Sequence, residues 1–243
     1  MKRLLLTLLL ASQLSQADDV THAQSDALAA EAARLMPDKP APKMQTLPPT
    51  PAQYSTLGLW SGVIPWTPHI PVTCAQLPDG RLLTFASSQR TGFPVGHFTY
   101  AATWDYRTGE FVEINNPRHD MFCGGVSLLP DGRLLVNGGN NTIRDCSLFD
   151  WRSNTWSAAA DMQDPRWYNT SVALPDGSVF TAAGSGGSKT AERWQERSGW
   201  TRFTNINWAL ATNEGGDESI WHPFLHVAPD GRIAHTGPTR SMH

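Results

Sequence analysis

The chain has 243 residues, a net charge of −3 and a charged fraction of only 17%. Its 40% hydrophobic residues, 20 glycines, 18 prolines and 10 tryptophans are typical of a turn-rich globular protein, which excludes disorder of the whole chain. No basic cluster interrupts the sequence. It therefore lacks the electrostatic footprint of a nucleic-acid-binding protein.

The first 17 residues follow the pattern of a secretory signal peptide. Lys2 and Arg3 precede an apolar run over residues 4–11, and Ala17 ends a small-residue cleavage site. The apolar run is too short to span a bilayer, so no stable membrane span is expected. We predict a secreted or periplasmic protein whose mature chain begins near Asp18, with an uncleaved anchor as the alternative.

Three cysteines, Cys74, Cys123 and Cys146, fall in the exported part of the chain, where disulfides persist. Because three is an odd number, at least one cysteine is unpaired or has another fate. A disulfide between Cys74 and Cys146 is one option that the sequence leaves open.

Residues 18–56 form a leader that differs from the rest. An Ala-rich segment over 26–36 has the spacing of a helix, and six prolines between Pro37 and Pro51 then prevent regular structure. We predict a leader helix followed by a Pro-rich linker.

From residue 57 onward, a Pro-Asp-Gly turn between two apolar strands repeats about every 50 residues. A third strand, a polar turn and a fourth strand follow three of the four turns. The pattern predicts an all-β fold, a kelch-type β-propeller built of four-stranded blades. The turns begin at Pro78, Pro130, Pro175 and Pro229.

Three repeats are complete and the fourth stops after its second strand. We therefore expect residues 57–243 to be an incomplete propeller of about three and a half blades that needs missing C-terminal blades to close. A four-bladed ring completed by a strand over 57–64 is the alternative. Trp156 and Trp200, in equivalent fourth strands, are expected to pack between blades.

Counting back seven residues from each Pro-Asp-Gly gives four equivalent positions at the start of the innermost strand: Pro71, Cys123, Tyr168 and His222. Inner strands of a propeller line its channel, so these positions should converge at one mouth, with Cys123 and Tyr168 as neighbours. Taken singly, a strand cysteine is usually a small buried hydrophobe and a strand tyrosine a packing residue. A histidine such as His222 is more often an ordinary hydrogen-bonded strand residue, and its repeat position makes it a candidate for the channel mouth.

The segment HDMFC at residues 119–123, together with Arg166-Trp167-Tyr168, resembles the copper radical oxidases, galactose oxidase and glyoxal oxidase. The resemblance implies a copper cofactor and a thioether cross-link between Cys123 and Tyr168. It implies that Tyr168 ligates copper and, as a radical, takes a hydrogen atom from the substrate, while Cys123 tunes its potential. A small primary alcohol or aldehyde would be oxidised by O2, which leaves as H2O2. His119 and Asp120 are expected to be structural.

The sequence also departs from this family. The family's axial tyrosine and two copper-binding histidines lie in later blades, and the tryptophan that stacks over the thioether has no counterpart in residues 184–189. Trp167 or Trp221 could shield the radical instead. We expect the N-terminal fragment of an exported copper radical oxidase that is inactive by itself. The alternative is a secreted kelch-like module that binds glycans or proteins without catalysis.

Overall fold

The computed structural model describes residues 62–186, 190–206, 208, 213–214, 217–218 and 221–237. The predicted signal peptide, leader helix and Pro-rich linker, and the first residues of the predicted propeller, lie outside this range. Every regular element within it is a β-strand, and it contains no helix that is long and apolar enough to cross a membrane.

The described strands form the predicted blades. Three antiparallel sheets each hold four strands in chain order, and a two-stranded sheet starts a fourth blade. This arrangement confirms the predicted all-β fold of antiparallel four-stranded propeller blades. Blade 1 consists of β1 (Thr73–Gln76), β2 (Leu82–Phe85), β3 (Ala101–Trp104) and β4 (Phe111–Glu113). Blade 2 consists of β5 (Gly125–Leu128), β6 (Leu134–Asn137), β7 (Cys146–Asp150) and β8 (Thr155–Ala158).

Blade 3 is interrupted by short extra strands that the repeat pattern does not predict. Its sheet contains β10 (Thr170–Ala173), β11 (Val179–Ala182), β13 (Ala191–Gln195) and β14 (Gly199–Arg202). A separate ribbon pairs β9 (Arg166–Trp167) with β12 (Ser185–Gly186). A small hairpin, β15 (Asn213–Glu214) and β16 (Asp217–Glu218), precedes β17 (Leu225–Val227) and β18 (Ile233–His235) of blade 4.

The four Pro-Asp-Gly turns are built alike. In the first, the Gly80 amide donates to the Leu77 carbonyl at 2.9 Å and the Leu77 amide donates to the Arg81 carbonyl at 2.8 Å. The same pair of bonds recurs in the other three turns. Each turn glycine has a φ between 82° and 90°, which explains the choice of glycine. These glycines are Gly80, Gly132, Gly177 and Gly231.

The hydrophobic core lies between the blades rather than within them. Trp156 of blade 2 packs against Phe85 of blade 1 at 6.2 Å between ring centroids, and its indole N–H donates to the Ile114 carbonyl at 2.7 Å. Trp200 of blade 3 packs in the same manner on a buried cluster that includes Leu135 of blade 2. Both tryptophans therefore join neighbouring blades, as the sequence predicts.

The cysteines are all free thiols. Cys74 is exposed in β1, whereas Cys146 is buried in β7. The disulfide that the sequence left open is therefore absent from this structure.

Candidate functional site

The inner strands of blades 2, 3 and 4 begin at residues with an unusual backbone. Cys123, Tyr168 and His222 have φ angles of 58°, 61° and 47°, in the left-handed region that residues with a side chain seldom adopt. Pro71, the equivalent residue of blade 1, is held to a negative φ by its ring. Left-handed residues other than glycine cluster at functional sites, where the surrounding structure maintains them.

Backbone hydrogen bonds join these three residues across the blades. The Tyr168 amide donates to the Cys123 carbonyl at 3.0 Å, and the His222 amide donates to the Tyr168 carbonyl at 2.8 Å. Residues at equivalent positions of neighbouring repeats are therefore neighbours in the structure. We call this end of the inner strands the mouth end, and the end closed by the Pro-Asp-Gly turns the turn end.

The side chains of Cys123 and Tyr168 are also close neighbours. Tyr168 is near enough to act on the thiol as a hydrogen-bonding group. Burial raises the pKa of Cys123 to about 12, although the bond to Tyr168 acts to lower it. Cys123 is therefore a protonated thiol at neutral pH, beside the tyrosine of the next blade.

Aromatic rings surround Tyr168. The Trp167 ring stacks on it at 4.3 Å between centroids and 27° between planes, and Trp221 lies 5.8 Å away. His222 meets the Tyr168 ring edge-on at 5.3 Å and hydrogen-bonds to the Asn169 backbone. Burial lowers the pKa of His222. The Tyr168 ring is thus covered by the two tryptophans that the sequence analysis named as possible shields.

Cys123 and His222 also line an open cavity of about 290 Å³ at the mouth end. Val72 of blade 1 and Asn169 of blade 3 line it as well. The site is therefore reachable from outside, while the thiol itself is mostly covered.

Comparison with known proteins gives related oxidases. The chain is 34% identical over 200 residues to a galactose oxidase from Gibberella zeae, a match that covers 77% of this chain and 29% of the relative. It is 27% identical over 124 residues to the aldehyde oxidase GLOX of Vitis pseudoreticulata, covering 47% and 22% of the two chains. No protein-family model matches.

A solved structure of a fungal alcohol oxidase of the AA5 family, in complex with copper, superposes with a TM-score of 0.67 at 28% identity. The match covers 72% of this chain and 39% of that one. The chain shares this similarity with copper radical oxidases, which supports its assignment to that family. It spans only 29% of the length of the galactose oxidase and 22% of the aldehyde oxidase.

Two other residues of the HDMFC segment, His119 and Asp120, hold the local structure. The His119 ring bonds to the Ser147 hydroxyl at 2.9 Å and to the Gly138 carbonyl at 2.8 Å. The Asp120 carboxylate accepts a hydrogen bond from the Gly96 amide at 2.8 Å. Both side chains are buried, in keeping with the structural role expected for them.

The part of the chain that the structure describes contains no group of three or more His, Cys, Asp or Glu side chains able to hold a metal ion. Of the predicted site residues, it brings Cys123 and Tyr168 together, with His222 against the Tyr168 ring. The sequence analysis missed one feature beside them, the fully buried ion pair between Arg166 and Glu192. Arg166 belongs to the Arg166-Trp167-Tyr168 motif, but no pattern in the sequence identifies Glu192 as its partner.

Proposed function

We propose that this chain is the N-terminal part of an exported copper radical oxidase that converts primary alcohols or aldehydes with O2 and releases H2O2. The observation that carries the proposal is the pairing of two left-handed residues, since the Tyr168 amide donates to the Cys123 carbonyl at 3.0 Å and their side chains are neighbours. The similarity to a galactose oxidase and to a fungal alcohol oxidase solved in complex with copper supports it. Export rests on the signal-peptide pattern alone.

The donor atoms in the described residues fit one part of a copper centre. Copper(II) accepts oxygen and nitrogen donors in a tetragonal arrangement, and the Tyr168 phenol oxygen is such a donor. The described residues offer no cluster that would complete the set. Tyr168 would therefore hold the metal from one side, and the remaining ligands would come from elsewhere in a protein of the family's length.

Electron counting explains why a tyrosine belongs in this position. Oxidation of a primary alcohol to an aldehyde removes two electrons and two protons, and O2 takes them up as H2O2. A bound copper ion would accept one of these electrons. Tyr168, as a radical, would accept the other by taking the hydrogen atom from the substrate carbon, and a Cys123 sulfur on the ring would delocalise the radical.

Formation of the thioether has its own balance. A bond between Cys123 Sγ and the ring carbon beside the Tyr168 hydroxyl forms as the thiol S–H and one ring C–H bond break. The two hydrogen atoms that are lost require an oxidant, which is O2 in this proposal. The neighbouring positions of the two side chains bring the reacting groups close together before the bond forms.

Trp167 would protect the radical. Its ring lies at 27° to the Tyr168 ring, close to parallel, and covers one face from water. This residue would take the part of the stacking tryptophan that the sequence lacks at 184–189. Trp221, which is 54% exposed, covers the ring less completely.

The experiment compares two proteins, the 243-residue chain and a longer protein in which the remaining blades of the family fold follow it. We expect the chain to bind copper weakly and produce no peroxide, because it supplies one matched ligand. The longer protein should bind copper tightly, develop strong visible absorption on oxidation and produce peroxide from an alcohol or aldehyde. Tyr168→Phe should abolish these properties, whereas Tyr106→Phe, at an exposed tyrosine of blade 1, should not.

The alternative function is a non-catalytic kelch-like module that binds glycans or proteins. The exposed aromatic side chains of Trp221 and Phe224 favour it. A longer protein that binds no copper and yields no peroxide from a broad substrate panel would refute the oxidase proposal and leave this alternative.

A further inference from the structure

Arg166 is a fully buried cation two residues before Tyr168. One guanidinium nitrogen, Nη1, donates to the backbone carbonyls of Ala183 at 2.8 Å and Thr190 at 3.1 Å. The other, Nη2, donates to the Thr190 hydroxyl at 2.9 Å and to Glu192 Oε1 at 3.0 Å. A single side chain therefore ties β9 to three separate points of blade 3.

Glu192, the partner, is equally inaccessible to solvent. Its carboxylate also accepts hydrogen bonds from the backbone amides of Gln163 at 2.7 Å and Asp164 at 3.0 Å. These amides lie in the segment that leads into Arg166. The ion pair thus holds the approach to Tyr168 as well as the strand that contains Arg166, and each charge has the other as its counterion.

The backbone around Arg166 is confined on the side of blade 2. Its amide donates to the Ile143 carbonyl at 2.9 Å, and its carbonyl accepts from the Gly139 amide at 2.9 Å. A Cβ atom on Gly138 would lie 2.5 Å from the Arg166 carbonyl oxygen, and one on Gly184 would lie 2.7 Å from that of Trp167. The segment therefore has backbone packed tightly against it on both sides.

A left-handed tyrosine persists only where its surroundings fix the backbone. We infer that the Arg166–Glu192 pair is the positioning device of this site: it holds the Tyr168 backbone left-handed and keeps the phenol against the Cys123 thiol. Its importance for catalysis rests on the proposed function. The positioning itself does not, because it concerns only the contact between two side chains of the metal-free chain.

The three cysteines allow a direct test. The metal-free chain is treated under native conditions with a thiol-alkylating reagent, and the rate at each cysteine is measured by peptide mass spectrometry. Exposed Cys74 reports reagent activity, and buried Cys146 reports global unfolding. In Arg166→Lys, which loses the forked bonding of the guanidinium, we expect Cys123 to react about tenfold faster with Cys146 unchanged. Displacement of Tyr168 lets water reach the thiol, and this relieves the desolvation that is the main cause of its raised pKa, an effect larger than the lost bond to Tyr168.

Two further variants keep the test decisive. Arg193→Lys changes an arginine of the same blade whose ion pair with Asp176 lies at the exposed turn end, and it should leave all three rates unchanged. Thr190→Val removes the hydroxyl's bonds to Arg166 and Asp164, but Arg166 keeps Glu192 and Asp164 keeps Arg202, so the variant should fold even if Arg166→Lys does not. It should raise the Cys123 rate in the same direction by a smaller factor.

Two outcomes would overturn the inference. If Cys123 and Cys146 accelerate together in these variants, the pair stabilises the fold and does not position Tyr168. If Cys123 keeps its original rate in a folded variant, Tyr168 is held by other contacts. Neither readout uses copper or turnover, so failure of the oxidase proposal would leave the result interpretable.

Discussion

Both ends of the inner strands adopt a backbone with positive φ, but they use different residues to do so. At the turn end the chain needs a positive φ and uses glycine each time, at Gly80, Gly132, Gly177 and Gly231. At the mouth end it also adopts a positive φ, but with Cys123, Tyr168 and His222. Glycine is the residue that takes this conformation without steric cost, so the mouth end accepts a strain that the turn end avoids.

The difference indicates that the side chains at the mouth end have a role that outweighs the conformational strain of a positive φ. There, a thiol, a phenol and an imidazole lie together, and a buried ion pair stands behind them. At the turn end the polar groups are aspartate and arginine side chains that pair locally and remain partly exposed, as in Asp131 with Arg133. One end serves the fold, and we propose that the other serves chemistry.

The largest difference between the two ends should appear in stability. Glu192→Gln leaves the Arg166 charge buried without its counterion, and we expect a loss of about 3–5 kcal/mol in the free energy of unfolding. Arg193→Lys, at the turn end, should cause no measurable change. Urea denaturation of both variants checks this. Equal losses in the free energy of unfolding would show that the buried pair stabilises the fold no more than the exposed pair does.

Acid should weaken the mouth end before the turn end. Burial lowers the pKa of His119 from 6.5 to about 4. Between these two pH values the histidine is protonated in the unfolded chain but neutral in the folded chain. Stability should therefore be constant above pH 7 and fall towards pH 5, by up to about 1.4 kcal/mol for each pH unit below the unfolded pKa. His69, lowered in the same way, adds to the slope. Urea denaturation over this range should show a smaller slope for His119→Gln.

Two glycines of the turn end should differ from each other. Gly132→Ala places a Cβ atom 2.3 Å from the Pro78 ring, whereas Gly231→Ala meets no atom within 4 Å. Each substitution costs about 1–2 kcal/mol because alanine is strained in the left-handed conformation, and only Gly132→Ala adds a steric clash. Thermal unfolding should rank Gly132→Ala as the less stable protein. The reverse order would mean that the turn relaxes freely around the new methyl group.

The smallest effect tests the strain at the mouth end. Cys123→Gly and Cys123→Ala both remove the thiol, but only glycine relieves the positive φ of 58°. We expect the glycine variant to be more stable than the alanine variant by about 1 kcal/mol. In an ordinary strand alanine is the better residue, so an alanine variant of equal or higher stability would argue against strain at this position.

Much of this comparison can be predicted from the sequence. Asp-Gly pairs between apolar runs identify the turn end, and their regular spacing places Cys123 and Tyr168 at equivalent points of adjoining blades. The left-handed conformation of these residues could not be predicted, because local propensity assigns it to glycine. The Arg166–Glu192 pair was also missed, since its burial arises only when β9 folds against blade 3. The β9–β12 ribbon depends on a glycine-rich segment that carries no strand pattern.

The most direct test of the central claim is peptide mass spectrometry on copper-loaded, air-exposed longer protein. The account predicts one cross-linked species that joins the Cys123 and Tyr168 peptides and is lighter than their sum by two hydrogen atoms. Cys123→Ser should eliminate this species together with most of the peroxide production. Recovery of an unmodified Cys123 peptide from protein that has bound copper would contradict the claim that Cys123 and Tyr168 form the radical cofactor.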